Sequence, residues 1–581
     1  MKFFSIVVAA ALFGVSSPFA SCIAWTTGAS STTSSRSKIW GSRGGGDISS
    51  DAVTDDDTLF VVDVQRQRQR VLVLMDNFCE YHGKYLSERA RDVYGVQCVH
   101  VLSEYMTEYL KSIHQEGNDE ISSLTSIPMP SSQEEVIEWR NNLVKNLLQL
   151  DVDVDIDTDA ESKNIELKGL ICESDPGLDD AERLCMWLNV TNHNGYNEAR
   201  RNKFLTISTL ASKNIPSVQQ QLCKTIDEAT EFATSQLSSS MMLPPEEEGQ
   251  KQQRQLVVVK PIRGCASDDV FLCEDIESVR SAYKIIMGST VLGSPKKKHD
   301  SVLCQEYLIG QEYAIDTCSK NGQLKIAAVW KYDKRPQPPT IRQQQQMDGD
   351  NNDEEDNEDD TTNGRRRQVY YATKLYDDDD DDDDPLLPII YKYLDDCLNA
   401  LDIRWGVTHS EIIITADGPR LVEVNCRQHN MDFVPLTDNA IGYNLYDMLL
   451  SAYLGRDDEV EENKNIDDTT VIINEDEQLN WDLIPNYPSI RMNCAMVHLV
   501  NNKKGILKRV NEQALYEIQA MDSVWDLEVY RDFLDPGISY IEPTVDIKSD
   551  AGWIQMLHPN KEIFDRDYQR IIELMPALFE V

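Results

Sequence analysis

The fold is most constrained by the stretch His409-Ser-Glu-Ile-Ile-Ile-Thr-Ala-Asp-Gly-Pro-Arg-Leu-Val-Glu-Val-Asn-Cys-Arg427. Two runs of alternating apolar residues flank Ala416-Asp417-Gly418, a sequence typical of a hairpin loop. A three-residue loop centred on Asp417 would pair Ile413 with Leu421. The stretch therefore predicts a β-hairpin whose register can be counted outward from its loop.

The same count places polar residues opposite one another, Glu411 facing Glu423 and His409 facing Asn425. All four have odd numbers, so period-two alternation puts them on one face of the hairpin. Two carboxylates about 5 Å apart repel each other unless a cation lies between them. With an amide oxygen beside them they offer the hard ligands that Mg²⁺ prefers. The alternative is a solvent-exposed face of an acidic protein, and a bulge would shift the pairing.

Outward from the hairpin, residues 191–454 alternate irregularly between strand and helix patterns, which predicts an α+β domain with antiparallel sheets. The predicted elements are strands Val218–Cys223, Gln255–Lys260, Val302–Tyr307, Tyr313–Cys318 and Lys325–Tyr332, and helix Ile226–Leu237. Two stretches inside this domain, 337–367 and 377–384, are too polar and acidic to bury a core. We expect both to be disordered insertions.

Residues 69–190 show a strand, helix, strand pattern that predicts a Rossmann-like α/β domain. Its elements are strands Val71–Met75, Gln97–Leu102 and Leu167–Cys172, and helices Tyr85–Val93 and Asp179–Leu188. The domain lacks G-x-G-x-x-G, which argues against a dinucleotide site and a Rossmann oxidoreductase. At the other end of the chain, an acidic linker (455–484) leads to a predicted small α+β domain (485–581).

The formal charge of −43 makes nucleic acid or an anionic membrane surface an unfavourable partner. Residues 1–24 resemble a signal peptide, because the apolar stretch Phe3–Val15 is too short to span a bilayer of about 30 Å. Residues 25–68 begin rich in Ser and Thr and resemble a transit segment. We therefore predict plastid targeting by a bipartite presequence, with secretion or the ER lumen as alternatives. The 13 scattered cysteines indicate a reducing compartment.

These motifs resemble the ATP-grasp superfamily, in particular its carboxylate–amine ligases such as the amino-acid ligases and carnosine synthase. The resemblance covers roughly residues 70–581. In that family, two acids twelve residues apart, followed by Asn and Arg, hold metal ions and the transferring phosphate. Glu411, Glu423 and Asn425 match the metal ligands, and Arg427 matches the catalytic arginine.

Two lysines and a loop resemble the family's phosphate-binding elements. Lys260 ends a buried strand and resembles the strand lysine, while Lys203 resembles a second phosphate lysine. Taken alone, a lysine at a strand end is usually just solvated. Ser267 and Asp268 lie in the stretch that resembles the glycine-rich flap, but this loop holds only Gly264 and is expected to be stiffer.

The segment Gln305-Glu-Tyr-Leu-Ile-Gly-Gln-Glu312 resembles the family's adenine-binding hinge. The resemblance implies that Gln305 and the backbone of Glu306 to Leu308 face the adenine edge, and that Glu312 accepts from the ribose hydroxyls. The alternative is an ordinary strand pair with polar edges. The basic segment Lys331–Arg335 is given no catalytic role.

The resemblance implies an ADP-forming enzyme that uses ATP with Mg²⁺, or Mn²⁺ in its place. It would activate a small-molecule carboxylate as an acyl phosphate and join it to an amine. One alternative is a non-catalytic ATP-binding interaction protein, which the glycine-poor flap keeps open. Another is an ATP-grasp enzyme with a non-amine acceptor. The sequence identifies neither substrate.

Overall fold

A computed structural model describes most of the chain from Gln69 onward. The described ranges are 69–77, 82–114, 127–148, 165–238, 255–264, 269–291, 294–336, 365–366, 368–377, 385–429, 433–455 and 478–581. The predicted leader (1–68), nearly all of both predicted insertions and most of the acidic linker lie outside these ranges. Plastid targeting and the domain boundaries stay predictions.

The first sheet is parallel, in the order β3-β2-β1-β4, with helices between its strands. Residues 71–75 of its central strand are completely buried, as expected of a strand covered on both faces. This agrees with the predicted strand, helix, strand pattern. The elements are β1 (Gln69–Met75), α1 (His82–Asp92), β2 (Gln97–Leu102), α2 (Glu104–His114), β3 (Ile127–Pro128), α3 (Val136–Leu148), β4 (Ile165–Cys172) and α4 (Leu178–Trp187).

The next part of the chain forms most of a small antiparallel sheet, with β6 between β7 and β10 and β5 at one edge. Its elements are α5 (Lys203–Ser212), β5 (Gln220–Cys223), α6 (Ile226–Ser238), β6 (Val257–Lys260), β7 (Phe271–Cys273), α7 (Ile276–Gly288), β8 (Thr290–Val291), β9 (Ser294–Lys298) and β10 (Val302–Glu306). One face packs apolar residues, including Val257 and Val259, against α6 and α7. Lys260 and Gln305 lie on the opposite face, since Leu303 pairs with Lys260.

The following elements form the first half of an eight-stranded sheet that carries the predicted hairpin. They are β11 (Gln311–Lys320), β12 (Gln323–Pro336), β13 (Arg365–Arg366), β14 (Gln368–Leu375), α8 (Leu386–Ala400), β15 (Gly406–Thr415), β16 (Gly418–Asn425), α9 (Val434–Ala440) and α10 (Leu445–Leu454). β13 is the exception, since it pairs with β7 in the small sheet. Between β12 and β14 of the large sheet, the chain therefore contributes one strand to the small sheet.

The C-terminal region completes the large sheet, whose order is β16-β15-β11-β12-β14-β17-β22-β20. Its elements are β17 (Asn493–His498), β18 (Gly505–Ile506), β19 (Arg509–Val510), α11 (Glu512–Gln519), β20 (Val524–Val529), β21 (Tyr540–Ile541), β22 (Gly552–His558), α12 (Lys561–Leu574) and β23 (Phe579–Glu580). Its apolar residues form a core of their own around Ile554 and Ile571. The region thus has its own core but shares a sheet with the preceding part. None of the described helices is long and apolar enough to cross a membrane.

The long predicted insertion connects two strands that already lie side by side, because Pro336 at the end of β12 pairs with Gln368 at the start of β14. We predict that replacing residues 337–358 with a short turn leaves the melting temperature and the rate of ADP formation nearly unchanged. Shortening a loop changes its closure free energy by only about 0.6 kcal/mol per halving. A matched deletion that extends through Arg366 removes β13 and should lower the melting temperature. A large loss of activity in the shorter deletion would contradict the prediction.

Candidate active site

The hairpin forms as predicted at its polar end but not at its loop. His409 pairs with Asn425 and Glu411 with Glu423, as the count required. Beyond them a bulge shifts the register, so the predicted pairing of Leu421 with Ile413 is wrong: Leu421 pairs with Ile412. The bulge has a physical reason, since it turns Ile412 and Leu421 together into the core, where both are completely buried.

One of the two hairpin carboxylates, Glu423, forms an ion pair with a lysine. Lys203 Nζ lies 2.7 Å from Glu423 Oε2, and both side chains are largely buried. Burial alone would raise the pKa of Glu423, but Lys203 outweighs it and holds that pKa at about 2. Asn425 donates to Glu423 Oε1 at 3.0 Å. The site is therefore neither a solvent-exposed face nor an unbalanced acidic pair.

Lys203 and Lys260 approach the site from different elements. Lys203 begins α5, its backbone N–H donates to the Ile262 carbonyl, and its Nζ donates to the Gly264 carbonyl at 2.9 Å. Lys260 ends β6 and is 4% exposed. Burial, helped by the nearby Lys203, lowers the pKa of Lys260 to about 8. The structure thus places both predicted phosphate lysines around the hairpin carboxylates.

The lowered pKa of Lys260 predicts that phosphate binding at this site depends on pH. The ammonium is charged below about pH 8 and loses its proton above it, so a phosphate contact weakens as pH rises. For ATP, the ligand that the sequence resemblance implies, we expect the affinity to fall about tenfold between pH 7 and pH 9. Titration calorimetry at several pH values measures this. Lys260→Arg, which keeps its charge throughout, should show a flatter profile. Identical profiles for the two proteins would remove Lys260 from the phosphate site.

The predicted adenine hinge begins beside the lysines. Gln305 is buried on the same face of the small sheet as Lys260, and its Nε2 donates to Gln220 Oε1 at 3.2 Å. Glu306 is the last residue of β10, and its N–H donates to the Gln219 carbonyl at 3.0 Å. That the backbone from Glu306 to Leu308 faces the adenine edge stays a prediction. Leu308 is half-buried just beyond the strand.

Glu312 is paired with Lys334, a residue to which the sequence analysis gave no role. Its carboxylate accepts from Lys334 Nζ at 2.6 Å, and both side chains are largely buried. Burial raises the pKa of Glu312, with a further contribution from Glu411 and an opposing one from Lys334. The Lys334 ammonium also lies over the rings of Tyr332 and Tyr370, at 4.9 and 4.4 Å from their centroids. Lys334 is thus a third buried ammonium in the site.

Arg427, the predicted catalytic residue, links the hairpin to the first sheet. Its guanidinium makes two hydrogen bonds to Asp175, at 2.7 and 2.9 Å, and is 5% exposed. Asp175 follows β4, at the carboxyl end of the parallel sheet where ligands usually bind. Sequence reasoning missed Asp175, although its position directly after a buried strand was a usable signal. Ser267 and Asp268 of the predicted flap lie outside the described residues.

A buried cluster adjoins the hairpin carboxylates. His409 Nδ1 lies 3.1 Å from Asp316 Oδ1, while His409 Nε2 lies 3.7 Å from Glu411 Oε1. Burial alone would lower the pKa of His409, but Asp316 and Glu411 raise it to about 9. His429, just past Arg427, stacks on His409 with ring centroids 4.1 Å apart. Asp316 was also missed, although it follows Glu312 at an even spacing on one strand, a pattern that puts both on one face.

Comparison with known proteins found similarity in sequence to a curated protein and in fold to solved structures. No protein-family model matches the chain. Dapdiamide A synthase of Enterobacter agglomerans is 24% identical over 283 residues, which cover 48% of this chain and 55% of that protein. The chain thus spans about half the length of this curated relative. L-amino acid ligase of Bacillus licheniformis superposes with a TM-score of 0.52 at 13% identity, covering 87% of this chain and 98% of that one. A carboxyaminoimidazole ribonucleotide synthase of Aspergillus clavatus, solved with ATP, gives a TM-score of 0.49 at 13% identity, covering 88% and 99%.

The chain thus shares its mixed helix and strand fold with the L-amino acid ligase. That fold and the sequence similarity to dapdiamide A synthase support the resemblance found in the sequence.

Proposed function

We propose that this chain is an ADP-forming ligase that activates a carboxylate with ATP and joins it to an amine. The observation that carries the proposal is the buried arrangement of Glu411, Glu423 and Asn425 beside Lys203 and Lys260. Such an arrangement balances the charge of a triphosphate and positions it, which is what phosphoryl transfer requires of a protein.

The donor set fits a magnesium ion. Two carboxylates and an amide oxygen are hard ligands, and the largely buried Glu423 is ionised down to about pH 2. Glu411, Glu423 and Asn425 would hold Mg²⁺, or Mn²⁺ in its place, and the ion would neutralise the phosphate oxygens when bound. In the structure, Lys203 forms an ion pair with one of these carboxylates, Glu423. In the proposed complex Lys203 would turn toward a phosphate as the cation takes Glu423.

The chain's own residues divide the remaining roles. Lys203, Lys260 and Lys334 would balance charge around the phosphates, and Arg427 would stabilise the phosphoryl group as it passes to the substrate carboxylate. The amine then attacks the acyl carbon, the phosphate leaves with the bonding electron pair, and the nitrogen loses a proton. No protein nucleophile is needed, so the buried cysteines are left without a catalytic role.

Amino acids are the substrates to test first. The structural neighbour is an L-amino acid ligase, and the relative found by sequence is a synthase of dapdiamide A. The first of these supports amino acids as candidate substrates of this chain.

The test is an ADP-release screen with pairs of amino acids, run on the chain from residue 69 with Mg-ATP. We expect ADP to form only when a suitable carboxylate and amine are both present, with one amide formed per ADP as measured by mass spectrometry. ATP binding without turnover on any pair would favour the non-catalytic ATP-binding protein. ADP formation without an amide would favour a non-amine acceptor.

A further inference from the structure

Asp316, His409 and His429, here called the histidine cluster, come together from two strands of the large sheet and from the segment that follows β16. Asp316 lies on β11 directly opposite His409 on β15. His429 follows β16 and places its ring on that of His409. The hairpin and its neighbouring strand therefore bring two imidazoles to one carboxylate.

The geometry of the histidine cluster suits a single metal ion. One ligand atom from each residue can be chosen so that all three lie within 4.8 Å of one another. Asp316 Oδ1 is 3.1 Å from His409 Nδ1, and Asp316 Oδ2 is 3.7 Å from His429 Nδ1. The three side chains are only 6%, 5% and 12% exposed. Such spacings match those between neighbouring ligands bound about 2.1 Å from one ion.

His429 Nδ1 is buried and makes no hydrogen bond of ordinary length within the described part of the chain. It lies 3.7 Å from Asp316 Oδ2, which suits an electrostatic contact but is too long for a hydrogen bond. The contact between Asp316 and His409 is shorter, at 3.1 Å. An ion bound by Asp316 and His429 would satisfy the buried Nδ1 atom.

Neighbouring side chains contact each of the three residues and fix its orientation. Trp330 Nε1 donates to Asp316 Oδ2 at 2.7 Å. His409 directs its other nitrogen toward Glu411, the arrangement in which a carboxylate orients a ligating histidine. Phe433 stacks on His429 with ring centroids 4.6 Å apart.

A small cavity adjoins Asp316 and His429. Its volume is about 30 Å³, and its lining includes Gln428, Thr437 and Asn444. That volume accommodates a water molecule, which needs roughly 10–15 Å³. The cavity provides space for a fourth, non-protein ligand beside Asp316 and His429.

We propose that Asp316, His409 and His429 bind a transition-metal dication, with Zn²⁺ as the first candidate, separate from the magnesium ion of the hairpin. Imidazole suits Zn²⁺ and its neighbours, whereas Mg²⁺ takes oxygen ligands. Two histidines, one carboxylate and an open position are a known zinc ligand set. The ion would replace the proton that His409 Nδ1 shares with Asp316, and it would fix the ring next to Glu411. The proposal goes beyond the ligase reaction and does not require it.

The test measures metal binding without turnover. The full chain is stripped with a chelator, loaded with Zn²⁺ or Co²⁺ in the presence of saturating Mg²⁺ and ADP, and freed of excess metal. Zinc is counted by mass spectrometry, and cobalt is read from its visible absorption bands. We expect one equivalent per chain in the wild type.

Three variants make the result specific. His429→Phe keeps a ring in the stack but removes both nitrogens, so it should lose the equivalent or bind at least about tenfold more weakly. His558→Gln, which removes a histidine far along the sequence, should retain it. Glu423→Gln should also retain it, which separates this site from the hairpin magnesium and from the ligase proposal. No bound zinc in the wild type, or equal binding by a folded His429→Phe, would overturn the site.

Discussion

Replacing Glu423 with glutamine is expected to lower substrate-dependent ADP formation at least about 10³-fold at saturating Mg²⁺. The variant keeps the size of the side chain but removes a charge from the proposed metal and phosphate site, where electrostatic contacts act at low dielectric. Glu411→Gln should have an effect of the same order, because Glu411 lies directly across the hairpin. Steady-state rates from a coupled ADP assay measure both. Normal turnover by either variant would show that the hairpin does not hold the metal.

The same substitution should also destabilise the protein without ligand. The sequence alone suggests the opposite, since removing one of two facing carboxylates relieves repulsion. In the structure, however, Glu423 is paired with the largely buried Lys203, and the substitution leaves that ammonium with the Gly264 carbonyl but without its anionic partner. We expect a loss of about 3 kcal/mol, typical of breaking a buried ion pair. Glu166→Gln is the matched control, since Glu166 pairs with Lys168 at 2.7 Å on the surface and should cost at most about 1 kcal/mol.

The sequence predicts local structure well because alternation and turn residues are local signals. The hairpin, its polar pairs and the strand, helix, strand pattern of the first sheet all follow from periods of two or 3.6 residues. The bulge after Glu411 does not, since it is selected by the need to bury Ile412 and Leu421 against helices distant in the sequence. An acidic linker likewise indicates a separate domain, but it cannot reveal that β17 pairs with β14.

The site residues that sequence reasoning missed are defined by long-range contacts. Asp175 meets Arg427 across 252 positions, and Lys334 meets Glu312 across a strand pair. Neither residue belongs to a motif with fixed spacing. By contrast, Glu411, Glu423, Asn425 and Arg427 lie within seventeen consecutive positions, so a resemblance could find them. The sequence does not show which oppositely charged side chain each of these residues contacts.

Those partners bear on how ligands would bind. Lys203 is paired with Glu423 and Lys334 with Glu312, so in the structure these side chains bind each other in place of the proposed ligands. A metal ion at Glu423 must displace Lys203, and a phosphate at Lys203 must displace Glu423. Breaking this ion pair therefore makes both side chains available at once. We therefore infer that metal and nucleotide bind together more favourably than either binds alone.

Arg427→Lys is expected to lower the turnover number by about 10² to 10³-fold, with little change in the KM for ATP. Lysine keeps the charge but cannot reproduce a planar, two-pronged contact with a phosphoryl group or a carboxylate. If Arg427 acts mainly as the transferring phosphate develops charge, its loss falls on kcat and not on ground-state binding. Initial rates over a range of ATP concentrations separate the two parameters.

The variant Asp175→Asn tests whether Arg427 acts in catalysis or only links the hairpin to the first sheet. It weakens the contact between Arg427 and Asp175 without changing the arginine. In the structure Asp175 occupies two donors of Arg427, so a clamp between the hairpin and the first sheet would be damaged equally by either variant. A catalytic arginine predicts a different result. Asp175→Asn should then lower the melting temperature as much as Arg427→Lys does, while reducing kcat by only about tenfold. Equal kcat losses in the two variants would assign Arg427 to holding the hairpin against the first sheet, and the proposed phosphoryl contact would have to come from the lysines alone.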